Sequence, residues 1–345
     1  MKLTLKGIGL LFLLVSLSCN NEVELNAPAK NILIVYGVLN PDATEQYIRI
    51  SKVFTTETNA INYASTQDVS LNSSQVQVYL NGVTLRDTVL TRSSGTFTAG
   101  MRVFKITDAE LDIVPGSRYQ LQVNYLEDPG ASVSAYTTVP FRPSVIQPIT
   151  PTYTQGGLNM RNYPLEIEKS FKLYIRKSQY AKGYEVRMTL NFFENGLPRA
   201  ETWFANSSNY SVCTADANSQ CFDLRNGIGY AFFKGKMSYS PFPNYYTMID
   251  TPQIVQQPEI ARLNRSFRVH ITAVDTFLQT YMDAASANTS SLSTSFLEYS
   301  NVKGGLGILG SYSEGEAFYD LSPCSMFLLG INNTPRPATA CKSPN

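Results

Sequence analysis

Apolar residues fall at every second position, in short runs separated by turn residues, through most of this chain, and that pattern leaves few folds open to it. A strand turns successive side chains to opposite faces, whereas one face of a helix needs a spacing of three to four. Ile32 to Tyr36 is a continuous apolar run, ended by Gly37 and followed by the turn Asn40-Pro41-Asp42. Gln46 to Phe54 alternates, with Ile48, Ile50 and Lys52 on one side and Tyr47, Arg49 and Ser51 on the other. Gln75 to Leu80 sends Val76, Val78 and Leu80 inward and stops at Asn81-Gly82, a strong short-range hairpin signal. The turn Leu111 to Gly116 then delivers the chain into a fourth face made of Tyr119, Leu121, Val123 and Tyr125. Short strands at this spacing, with no helical period between them, predict an antiparallel sandwich of about 100 residues.

Pro140, Pro143, Pro148 and Pro151 crowd one short stretch, which favours an extended spacer and disfavours ladder hydrogen bonds there. Beyond it the strand pattern resumes at Phe171 to Ile175 and at Tyr184 to Phe192, which ends in Glu194-Asn195-Gly196. Further strands are expected around Gly229 to Lys234 and Phe267 to Val274. The period then changes. Asp275 can cap a short helix with Phe277, Tyr281 and Ala284 on one face, before a Ser/Thr/Asn-rich loop from Ala285 to Ser295. No repeat of fixed period is present, which argues against a propeller or solenoid. The fold class expected is all-β: a sandwich over 31–139, a Pro-rich linker over 140–152, a second β-rich domain with one short helix over 153–322, and a tail over 323–345.

Charge and rare residues narrow the chemistry. Lys and Arg number 28 against 27 Asp and Glu, so the basic footprint of a nucleic-acid binder is missing. With one His and one Trp, common zinc-hydrolase patterns and Trp-lined sugar platforms lack their residues. His270 sits between inward-facing Val269 and Ile271 and is expected to point outward, beside Arg268 and Thr272, as a solvated strand histidine. Gly305-Leu306-Gly307-Ile308-Leu309-Gly310 satisfies the dinucleotide fingerprint G-x-G-x-x-G. Its context does not: no buried strand precedes it, and Ser311 to Glu316 is a poor helix start. A glycine-rich strand or bend packed closely in a β domain is expected instead, and no cofactor.

The first eighteen residues read as a secretory signal, with Lys2 and Lys6 ahead of the apolar run Gly7 to Val15. Val15-Ser16-Leu17-Ser18-Cys19 resembles a bacterial lipobox, with Ser16 where Leu is usual, and makes Cys19 the expected lipidated residue. Residues 19–30 would form a polar tether to the membrane. Several acyl chains on one Cys give stable anchoring, at about 0.8 kcal/mol per buried CH₂. The remaining cysteines are Cys213, Cys221, Cys324 and Cys341, with no Cys-x-x-Cys and no nearby His. Structural disulfides in an oxidising compartment are therefore expected, and no metal site. Three pairings are open; the local ones, 213–221 and 324–341, are the simplest.

Together these segments resemble a domain-of-unknown-function family of Bacteroidota outer-membrane lipoproteins, often encoded beside TonB-dependent receptors. The resemblance rests on Cys19, on Val35 to Leu39 followed by Tyr47 to Ser51, and on Pro115-Gly116 entering Tyr119, Leu121 and Val123. It rests also on the helix from Asp275 to Ala284 followed by Asn301 to Gly310. It implies an Ig-like or transthyretin-like first domain, a second β-rich domain, and no catalytic residues. In such lipoproteins acidic residues soon after the Cys, here Glu22 and Glu24, resemble a surface-export signal.

Recognition is the remaining chemical signal. Tyr210, Tyr230, Tyr239, Tyr245 and Tyr246, interspersed with Ser, Asn and Pro, and Trp203 a little upstream, are the candidate ligand-binding residues. The expected function is that of a non-enzymatic, lipid-anchored outer-membrane protein facing the cell exterior and serving a TonB-dependent transporter or another outer-membrane complex. The alternative is a lipoprotein that captures glycan or peptide for uptake.

Overall fold

The computed structural model describes residues 31–54, 62–63, 67–91, 100–147, 172–194, 197–206, 219–223, 267–288 and 299–320. Among the described residues it is all-β with one helix longer than a single turn. Its strands are β1 (Leu33–Leu39), β2 (Glu45–Lys52), β3 (Val76–Leu80), β4 (Val83–Thr84), β5 (Arg86–Leu90), β6 (Met101–Thr107), β7 (Arg118–Tyr125) and β8 (Val133–Thr138). There follow β9 (Ser144–Gln147), β10 (Lys172–Arg176), β11 (Ala181–Glu194), β12 (Leu197–Asn206), β13 (Ser219–Asp223), β14 (Phe267–Asp275), helix α1 (Thr276–Asn288) and β15 (Leu306–Tyr319).

The alternation read from the sequence sets the inward faces. Val76, Val78 and Leu80 of β3 and Tyr119, Leu121, Val123 and Tyr125 of β7 are buried, facing Ile48 and Ile50 of β2. Full burial of each such side chain contributes about 1.5–3 kcal/mol. Asn81 and Gly82 take positive φ (48° and 82°), and β3 turns through them into β4 with Leu80 opposite Val83. Gly116, at φ 85°, follows Pro115 in a turn closed by the Ser117 N–H donating to the Val114 carbonyl, the Pro-Gly order that a type II turn requires. The Tyr119 hydroxyl pins this corner by accepting from the Val114 N–H (2.7 Å) and donating to the Asp112 carbonyl (2.8 Å).

One four-stranded sheet has the order β4-β3-β7-β8. The sheet facing it does not end with its own four strands. It runs β12-β11-β14-β15-β1-β2-β6-β5, so strands from both sides of the Pro-rich stretch share one ladder. The junction is a parallel pairing of β1 with β15, from Ile34 opposite Leu306 to Leu39 opposite Ser311. The sandwich read over 31–139 therefore takes a strand from the far end of the chain, and Val302 and Leu309 lie in its core. Alternation specifies which side of a strand is buried but carries no information about its neighbour in the ladder. Within the expected linker, Ser144–Gln147 is strand β9, paired with β10. Prolines flank those four residues without interrupting them, which leaves the donors a ladder needs.

Glycine makes the junction possible. Gly307 has φ 100°, and a Cβ there would sit 2.9 Å from the Val35 carbonyl carbon and closer still to its oxygen. A Cβ on Gly305 would lie 2.6 Å from the Leu33 carbonyl oxygen, and one on Gly310 would lie 2.7 Å from Leu278 Cβ on α1. The G-x-G-x-x-G run is thus a glycine-rich strand pressed against another backbone and a helix, as its context predicts.

Strand β14 ends at Asp275, whose Oδ1 accepts the Leu278 N–H (2.6 Å) and caps α1. The helix extends to Asn288, so Ala285 to Asn288, expected as loop, are helical; Ala and Ser do not oppose another turn. The strand expected around Gly229 to Lys234 lies outside the described residues.

Candidate functional site

Paired residues on neighbouring strands share a face, and the register of β1, β2 and β15 puts Tyr36, Arg49 and Ile308 together on the side away from the sandwich core. Helix α1 lies against that side because Gly310 lets Leu278 approach. The space left between the helix and the end of the sheet is a cleft of about 400 Å³. Ile308, Val38 and Leu278 give it an apolar surface, and four tyrosines, Tyr36, Tyr47, Tyr281 and Tyr312, surround it. The rings of Tyr36 and Tyr281 meet edge to face, with centroids 6.5 Å apart and planes at 69°.

The rim is rigid. Gln46, almost fully buried, donates from Nε2 to the Asn40 carbonyl (2.8 Å) and the Ala43 carbonyl (3.1 Å), and its Oε1 accepts the Asn40 N–H (3.0 Å). That clamp holds the β1–β2 turn in one conformation and presents the Asn40 side chain, whose Nδ2 donates to the Tyr312 hydroxyl (3.0 Å). Glu45 accepts from the Tyr47 hydroxyl and from Lys105 Nζ (2.9 Å). These two partners hold its carboxyl below the usual carboxylate range, and the same bond holds the Tyr47 phenol above its usual value. Burial raises the Tyr312 phenol as well, so both hydroxyls keep their protons at neutral pH.

Two buried polar clusters lie outside the cleft. Asp275 accepts from the Thr137 hydroxyl and, at 3.2 Å, from the Ser311 hydroxyl, which joins the helix cap to both sheets of the sandwich. Burial pushes its carboxyl upward, offset in part by those hydrogen bonds. His270, expected as a solvated residue, is 6% exposed. Its Nδ1 lies 3.1 Å from Glu316 and its Nε2 3.1 Å from Glu314, which flank it from the neighbouring strand β15. Its phase in the strand is as read, away from Val269 and Ile271; the carboxylates on β15, a pairing that local pattern cannot show, cover it. Both ring nitrogens are engaged by carboxylates that face each other across the ring. Among the described residues no cluster of three or more His, Cys, Asp or Glu is arranged to hold a metal ion.

Of the residues singled out from the sequence, Trp203 lies in β12 opposite Met188 of β11, and Cys221 in β13 opposite Tyr174 of β10. Cys19, Cys213, Cys324, Cys341, Tyr210, Tyr230, Tyr239, Tyr245 and Tyr246 lie outside the described residues. Sequence reasoning placed Tyr36, Tyr47 and Tyr281 on strands and a helix but assigned them no recognition role. The usable signal was phase: Tyr36 and Tyr47 occupy outward positions of successive strands, where an aromatic has no core to fill. Tyr312 and Tyr281 joined them only through the long-range pairing of β15 and the docking of α1. Among the described residues no helix is long and apolar enough to cross a membrane.

No curated protein matches the sequence. A family model described as a domain of unknown function (DUF4249) matches residues 20–317, most of the chain, and the protein belongs to that family.

Proposed function

We propose that this protein is a non-enzymatic, lipid-anchored accessory protein of the outer membrane, exposed at the cell surface and working beside a TonB-dependent transporter or another outer-membrane complex. The signal-like N-terminus with Cys19 supports the anchor, and the family resemblance supports the setting. The observation that carries the interaction role is the outer face of β1 and β15. Tyr36, Val38 and Leu306 share that face and are 43%, 37% and 37% exposed, which is apolar surface of the kind protein contacts cover. The decisive experiment is affinity purification of the tagged protein from native outer membranes in mild detergent, with Cys19→Ala and Leu306→Glu as controls. A stoichiometric barrel partner, lost with Cys19→Ala and weakened by Leu306→Glu, is the expected result. Recovery of the lipoprotein alone would refute the reading.

The cleft beside that face favours a second reading, capture of a glycan or peptide for uptake. It needs no membrane partner for its first step.

A further inference from the structure

We propose that the cleft between α1 and the end of the eight-stranded sheet is a binding site for a neutral saccharide. This rests on the capture reading and deepens it; Tyr36 and Val38 of the exposed face also line the cleft.

Its volume of about 400 Å³ lies within the range of small-ligand pockets, large enough for one or two sugar rings. Charge decides against an ionic ligand. Glu45 is the ionisable carboxylate of the lining, and Lys105 and the Tyr47 hydroxyl already engage both of its oxygens. Asp42 and Glu314 act on Tyr312 from outside the lining, but Asp42 is paired with Arg142 and Glu314 lies against His270, so an ionic ligand meets no uncommitted counter-charge and loses hydration for little return.

The pattern of surfaces decides against a plain hydrocarbon. The Tyr312 hydroxyl accepts from Asn40 and keeps its own proton to donate. The Tyr47 hydroxyl donates to Glu45 and keeps lone pairs to accept. An aliphatic side chain seated there would leave the Tyr312 proton without an acceptor and the Tyr47 lone pairs unused, both unfavourable once water is excluded. A sugar hydroxyl satisfies either one. The C–H faces of a pyranose ring suit the rest of the lining, where Tyr36 and Tyr281 offer ring surface above Ile308 and Leu278. The Gln46 clamp and the Gly310–Leu278 contact hold the strand turn and the helix in place before a ligand arrives, so little ordering cost falls on binding.

The test uses the unlipidated Cys19→Ala chain, titrated by calorimetry and by saturation-transfer NMR with maltose, cellobiose, lactose and chitobiose, and separately with glucuronic acid and the dipeptide amides Leu-Leu and Phe-Leu. Saturable binding of at least one neutral disaccharide is expected. Tyr281→Ala should weaken it about tenfold and Tyr312→Phe by a smaller factor, while Val89→Ser, on the distant β5, should leave it unchanged. Tyr312→Phe removes one oxygen and tests the site in a chain whose fold is retained. No disaccharide binding, or binding unmoved by both tyrosine variants, overturns the proposal. Binding of the dipeptides in place of sugars overturns it too, and in that case the capture reading stands with a different ligand. Neither result bears on whether a barrel partner is recovered from membranes.

Discussion

Replacing Gly307 by Ala tests whether the two ends of the chain form one cooperative sheet. Two penalties act together at this position. At φ 100° a Cβ is disfavoured by about 1–2 kcal/mol, whatever surrounds it. The added carbon would also lie 2.9 Å from the Val35 carbonyl carbon and 3.1 Å from its nitrogen, so β1 must move away. Displacing β1 by a few tenths of an ångström or more weakens about two ladder hydrogen bonds, each of net worth roughly 0.5–1.5 kcal/mol. The sum is about 2–5 kcal/mol. Gly82→Ala supplies the reference, because Gly82 has φ 82° and a Cβ there would meet nothing within 4 Å. It carries the backbone penalty alone, about 1–2 kcal/mol. Urea unfolding of the unlipidated chain, followed by far-UV circular dichroism and by the fluorescence of Trp203 in β12, measures both variants. Gly307→Ala should lose about 2 kcal/mol more than Gly82→Ala, with both probes shifting together. Equal losses would refute the close approach of the two backbones. A Trp203 transition that stays in place while the circular dichroism shifts would refute the shared sheet.

Four further outcomes follow from the buried polar groups and the cysteines. Burial raises the Asp275 carboxyl, so the folded chain holds this proton more tightly than the unfolded one; its contribution is fully present below the unfolded value of about 3.9 and is lost as pH rises through the folded value. Unfolding midpoints taken at about pH 4 and pH 7 should show Asp275→Asn gaining on the parent chain at the higher pH, and a constant difference would contradict this. Asp275→Ala, which also removes the acceptor for the Leu278 N–H, should cost about 1–2 kcal/mol at the lower pH in the same assay and less at the higher one, where the parent has lost the contribution of its proton. Tyr119→Phe deletes both hydrogen bonds that pin the 112–119 corner and should cost about 1–3 kcal/mol by urea unfolding; a loss below about 0.5 kcal/mol would show the corner to be held by other contacts. Peptide mapping without reduction should recover Cys213 joined to Cys221 and Cys324 to Cys341, and reduction should lower stability by roughly 2–4 kcal/mol per bridge.

The chain's own alternation determined that it is a β protein and which residues of each strand face inward. Val76, Val78 and Leu80, and Tyr119 to Tyr125 at alternate positions, needed no partner to be assigned, because strand geometry alone sends them to one side. Local chemistry determined the turns and the cap as well. Asn81, Gly82 and Gly116 adopt the positive φ that Asn and glycine tolerate, Pro115 supplies the negative φ that precedes Gly116, and the Asp275 side chain reaches a helix N–H three residues on. The order of strands in the sheet was decided by tertiary structure alone. Nothing within Leu306 to Ser311 says that Leu33 to Leu39, some 270 residues earlier, lies alongside it in parallel. The glycines of that segment read from the sequence as a close-packed strand or bend, and the facing backbone of β1 supplies what they pack against. The cleft belongs to the same class of fact. Its tyrosines come from β1, β2, α1 and β15, and what unites them is a helix docked on one face of a sheet. The covered state of His270 arose in the same way, from two carboxylates on a strand that no local period identifies as its neighbour. A side chain's phase is a property of its own strand, whereas its company depends on long-range pairing that the whole chain settles when it folds.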